Sequence, residues 1–69
     1  MKIEVYLPNI SGNPVLKAVY SKEDNEDRFN YLMGMSVGDK IYYGSIGNKM
    51  NSKAYYPETD ILKINFIKL

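Results

Sequence analysis

Histidine, cysteine and tryptophan are absent from this 69-residue chain, and arginine occurs once, as Arg28. Without imidazole the chain lacks the side chain that ordinarily titrates near neutral pH. Without thiol it has no thiolate nucleophile, no disulfide and no thiolate metal ligand. The remaining nucleophiles are poorly served. Ser21-Lys22 and Ser52-Lys53 are sequence neighbours, so their side chains diverge instead of meeting as nucleophile and base. Asp39, Glu58 and Asp60 supply carboxylates, yet a chain this short leaves little room for a cleft between paired acids. The expectation is a protein that is not an enzyme, with no catalytic residue, cofactor or metal.

Long hydrophobic runs are missing too. Nothing approaches the ~20 apolar residues of a membrane span. Met1-Lys2-Ile3-Glu4 places charge at the start and no apolar run of seven or more follows, unlike a secretory leader. With no cysteine to suggest an oxidising compartment, the expected location is cytoplasmic, away from membranes. The formal net charge is only +1, which suits neither a strongly basic nucleic-acid binder nor an acidic mimic of one. Its distribution is slightly acidic up to residue 34 and slightly basic beyond.

Present in abundance is tyrosine, seven residues of it, a stiff ring with a polar tip that suits contact surfaces. The length implies one compact domain over residues 1–69. Such a domain buries roughly 60% of its unfolded surface, so its stability rests on close packing or self-association.

Residues 2–7 alternate, with Ile3, Val5 and Leu7 on one face and Lys2, Glu4 and Tyr6 on the other, which predicts a half-buried strand. The turn formers from Pro8 to Pro14 predict a hairpin loop. Val15 to Tyr20 follows as a second strand, with Leu16, Ala18 and Tyr20 on one face. Ser21 is the expected helix N-cap, with Asp24 completing an imperfect capping box. Phe29, Leu32 and Met33 form the apolar stripe, and Gly34 is the expected left-handed stop. After the turn Val37-Gly38-Asp39, Lys40 to Ser45 predicts a strand, Gly47 to Ser52 a polar loop, and Lys53 to Tyr56 a short strand stopped by Pro57. Ile61 to Leu69 alternates again, with a mixed second face that suits a strand covered on both sides. The order β-β-α-β-β-β predicts an α+β fold: a mainly antiparallel sheet of four or five strands with one short helix.

Three constellations carry the functional expectations. Glu23, Asp24, Glu26 and Asp27 form an acidic patch at the helix start, where the helix dipole favours them. The EF-hand pattern fails there for want of its glycine and trailing glutamate, leaving an electrostatic docking patch. Gly44-Ser45-Ile46-Gly47-Asn48-Lys49 has the wrong glycine spacing for a phosphate loop and lacks the Gly-Lys pair, so a hairpin end is expected. Tyr42, Tyr43, Tyr55 and Tyr56 fall on two neighbouring predicted strands, with Lys40, Lys49 and Lys53 close by, and are the expected partner-binding residues.

The partner expected first is another protein. The Asn-, Lys-, Ile- and Tyr-rich composition resembles that of bacteriophage accessory proteins, and the resemblance implies an inhibitor that blocks or redirects a host factor. The alternatives are a single-stranded nucleic-acid binder, with tyrosines stacking bases and lysines following phosphates, and a homo-oligomer, structural or ligand-sequestering. In the last, the apolar strand Ile61 to Leu69 would pair edge to edge with a second copy.

Overall fold

Alternating apolar side chains build the sheet first. In the computed structural model, which describes residues 1–69 apart from the side chain of Tyr43, five strands and one helix follow the expected order. They are β1 (Lys2–Pro8), β2 (Pro14–Ser21), α1 (Glu26–Met33), β3 (Lys40–Tyr43), β4 (Ile46–Tyr56) and β5 (Ile61–Lys68). The spatial order is β2-β1-β5-β4-β3.

The sheet is mixed, which corrects the mainly antiparallel expectation: β1 and β5 run parallel at its centre, and the other pairings are antiparallel. The reason is topological. After the β1–β2 hairpin, the helix carries the chain from one edge to the other. The meander β3–β4–β5 then returns inward and lays the final strand beside the first.

This places β5 between β1 and β4, with both of its backbone edges paired. Over residues 61–65 both edges of β5 are already taken, so edge-to-edge pairing along this stretch would have to displace β1 or β4. The free edges belong to β2 and β3, and both are blunted. β3 has four residues and carries Lys40. β2 begins at Pro14 and carries a bulge at Lys17, because Val5 pairs with Ala18 while Tyr6 pairs with Leu16. The bulge also shifts the facing of β2: Tyr20, Ala18 and Val15 now share the helix side, and Leu16 moves to the opposite face.

One face of the sheet is covered. Ile3 and Val5 of β1, Leu62, Ile64 and Phe66 of β5, Met50 of β4 and Ile41 of β3 bury against Phe29, Leu32 and Met35. Each such side chain contributes about 1.5–3 kcal/mol on burial. Met33, expected in the stripe, is partly exposed, and Met35 beyond the helix end takes the inward place.

The helix is shorter than its acidic run suggested. Ser21 closes a turn instead of capping the helix, its Oγ bonded to Asp24 Oδ2 (2.8 Å) and accepting from the Asp24 backbone N–H (3.2 Å). Asn25 is the N-cap, its Oδ1 accepting from the Arg28 N–H (3.2 Å). Gly34 ends the helix at φ −82°, right-handed, so the left-handed stop is corrected as well.

The largest correction concerns β4, which runs through the segment expected as a polar loop. Gly44 takes φ +63° in the two-residue link from β3, the first-position glycine of a type II′ hairpin. Among the described residues, no helix is long and apolar enough to cross a membrane.

Candidate functional site

Helix α1 covers one face of the sheet and leaves the other open. Strand parity assigns the side chains of that open face. β1 presents Lys2, Glu4 and Tyr6, β5 presents Ile61, Lys63, Asn65 and Ile67, and β4 presents Lys49, Ser52, Ala54 and Tyr56. β3 adds Lys40 and Tyr42. Lys2, Lys40, Lys49 and Lys63 thus share a surface on which Glu4 is the one carboxylate among the strand residues. A chain of nearly neutral charge therefore has one basic face.

Two clusters stand on this face. In the first, Lys63 lies between two tyrosines, its Nζ 4.9 Å from the Tyr56 ring centroid and 6.0 Å from that of Tyr6. Cation–π attraction at such exposed sites contributes about 0.5–1 kcal/mol. The Tyr6 hydroxyl donates to Glu4 Oε1 at 2.7 Å, and that bond pushes the Tyr6 hydroxyl above its ordinary value. Beside it the Asn65 side-chain amide donates to Ser52 Oγ at 3.2 Å. These cross-strand pairs hold the rings in fixed positions on a rigid sheet.

The second cluster lies toward the other end of β4. Tyr42, 61% exposed, pairs across from Gly47 and lies beside Leu69. A side chain at Gly47 would come within 2.6 Å of the Leu69 methyl and 2.8 Å of the Tyr42 ring. Glycine is what lets those two apolar groups close over the strand. Lys40 and Lys49 face each other directly alongside.

The expected anchors do not form one patch. Tyr42 and Tyr56 share the open face but mark opposite ends of it. Gly47, opposite Tyr42, and Tyr56 are separated by roughly 25–30 Å of strand. Tyr55 points to the helix side by parity with Leu62, and its hydroxyl donates to Asp60 Oδ1 at 2.5 Å. The side chain of Tyr43 lies outside the described residues. Lys53 leaves the expected set altogether. It projects to the helix side, and its ammonium donates to the carbonyls of Met33 (2.7 Å) and Met35 (2.8 Å). Tyr6 and Lys63 join the open face instead. The alternation of β1 and β5 already placed them opposite the buried residues.

The acidic residues Glu23, Asp24, Glu26 and Asp27 are all exposed around the start of α1, off the basic strand face. Among the described residues, no group of three or more carboxylates is placed to hold a metal ion.

Asp60 closes the β4–β5 turn at φ +55°. Its carboxyl is held below the ordinary aspartate range, first by the Tyr55 hydroxyl and then by the Met1 ammonium 3.1 Å away. The same hydrogen bond pushes the Tyr55 hydroxyl up. A lowered carboxylate contributes stability that is present above its unfolded value and lost as pH falls through the lowered one. A raised tyrosine contributes below its unfolded value and loses that contribution as pH rises through the raised one. Asp60→Asn, which keeps a side chain tolerant of this backbone, is expected to flatten both the acid and the alkaline flank of the melting-temperature profile. Unchanged flanks in thermal melts across pH would remove the pair as their source.

No protein-family model, no curated protein and no solved structure matches this chain.

Proposed function

We propose that the protein is a non-catalytic binding module that docks its open sheet face against another protein, blocking or redirecting it. The observation that carries this reading is the uncovered face itself, where Tyr42, Tyr56, Ile67 and Leu69 stand exposed among four lysines. Aromatic anchors on a rigid scaffold lose little conformational freedom on docking. The lysines favour an acidic partner surface and repel basic ones.

A second reading, a single-stranded nucleic-acid binder, draws support from the same lysine excess. Two observations favour protein. Lys63 already sits over the rings of Tyr6 and Tyr56, where bases would have to stack. A single arginine and a net charge of +1 leave a weak field for phosphates.

The test captures the partner from the native cell with the wild-type protein, then measures its affinity for variants. Tyr42→Ala with Tyr56→Ala is expected to weaken the complex at least about tenfold, with thermal melting nearly unchanged. Equal weakening by Glu26→Lys with Asp27→Lys would move the contact to the acidic segment and sink the open-face reading. Binding to oligonucleotide instead, with affinity falling steeply with added salt, would install the second reading.

A further inference from the structure

The helix is too short for its sheet. Eight residues of α1 span about 12 Å, whereas the eight-residue strands β2 and β5 reach about 26 Å. The end of the sheet remote from the helix is therefore bare on its helix side. There the β1–β2 hairpin loop and the first residues of β4 wall a trough of about 560 Å³. This lies within the 300–1,000 Å³ range of small-molecule sites.

Its chemistry is one-sided. Leu7, Ile10, Val15 and Ile46 supply apolar walls, and Lys17 and Lys68 supply two ammonium groups. No carboxylate lines it. Neither lysine has an ion-pair partner among the described residues, where the one ion pair is that of Met1 with Asp60. Lys17 is delivered here by the bulge in β2, and Lys68 by the last turn of the alternation in β5. Apolar walls select a hydrocarbon body, and unpaired ammonium groups select a negative head. A neutral lipid would leave the lysines unused, and a bare phosphate would leave the walls wet.

We infer that this trough is a binding site for an amphipathic carboxylate of medium chain length, its head between Lys17 and Lys68 and its chain against Leu7, Val15 and Ile46. This site is separate from the open face, and neither depends on the other.

Decanoate, kept below its micelle concentration, tests the site by nuclear magnetic resonance titration of the full chain, with decanol as the neutral comparison. Saturable shifts centred on the Leu7, Val15 and Ile46 methyls are expected, with decanoate at least about tenfold tighter than decanol, the worth of one charge-assisted contact. Lys17→Gln with Lys68→Gln should bring the two affinities together, and Ile46→Asp should weaken both. Equal wild-type affinities, shifts located elsewhere, or no saturable shift would each overturn the assignment. So would concentration-dependent broadening of the same methyls without ligand, because a second copy would then fill the trough. The wild-type comparison decides even if a variant folds poorly.

Discussion

Leu32→Ala is expected to leave most of the protein unfolded at 25 °C. Leu32 is fully buried and sits where the helix meets the sheet. Truncation of a buried leucine costs about 2–5 kcal/mol, the spread reflecting how far the surroundings collapse into the cavity. A core of this size rarely supplies more than about 3–5 kcal/mol in total. Collapse is restricted here, because Leu32 belongs to one core cluster whose other members are mostly held on hydrogen-bonded strands. The helix has no second layer behind it and only two turns of its own, too few to persist without packing. Losing its central contact therefore detaches the lid and exposes Ile3, Ile64 and Phe66 together.

Tyr31→Ala, one position away, is the control. Tyr31 is about half exposed, with Arg28 5.7 Å from its ring centroid, and its loss should cost no more than about 1 kcal/mol. Urea titrations followed by circular dichroism separate the two. A Leu32→Ala protein melting within a few degrees of wild type would mean that the helix does not hold the core together.

The contrast between these neighbours was legible from the spacing of Phe29 and Leu32. The same holds for β1, whose strict alternation named Ile3 and Val5 as inward before any pairing was known. The alternation of β5 grouped Leu62, Ile64 and Phe66 on one face, but its mixed second face suggested cover on both sides. The fold buries only that one face and leaves the other open. β4 was hidden for a physical reason. It lies one strand in from the edge, with one face in solvent, so Lys49 and Ser52 are tolerated there. Asn48 is a buried polar residue on the helix side, and only Met50 supplies an apolar inward signal. The bulge at Asn51, where Met50 pairs with Phe66 and Ser52 with Asn65, breaks even that alternation.

The parallel union of β1 with β5 joins the two ends of the chain and leaves no local mark in sequence. The tyrosines divide along the same line. Tyr56 and Tyr42 belong to the open face by strand parity. Their distance apart depends on β4 being eleven residues long, which the polar composition concealed. Tyr6 and Lys63 were assignable to the exposed side of their strands. Their meeting over one sheet face required the parallel register that pairs Glu4 with Lys63.

Lys53 shows most clearly how tertiary context reassigns a residue. From sequence it is a surface cation beside two tyrosines. In the fold its ammonium bridges the carbonyls of Met33 and Met35, at the negative end of a helix whose own last turn carries no basic residue. Those carbonyls have few partners within the helix, and a cation at this end also complements the dipole. Lys53→Met keeps the stem against the sheet but removes the charge and both hydrogen bonds. Charge-assisted bonds are worth about 1.5–3 kcal/mol. Partial exposure of the site scales that down, so a loss of about 1–2 kcal/mol is expected, or a fall in melting temperature of roughly 5–15 °C for a chain of this size. Lys49→Met, the open-face neighbour, should stay within about 0.5 kcal/mol of wild type. Faster amide exchange in the last turn of α1 should accompany the Lys53 loss, because the helix end frays before the sheet does. If Lys53→Met instead melted with wild type and weakened partner binding, the lysine would belong to the docking surface after all, and the helix end would hold without it.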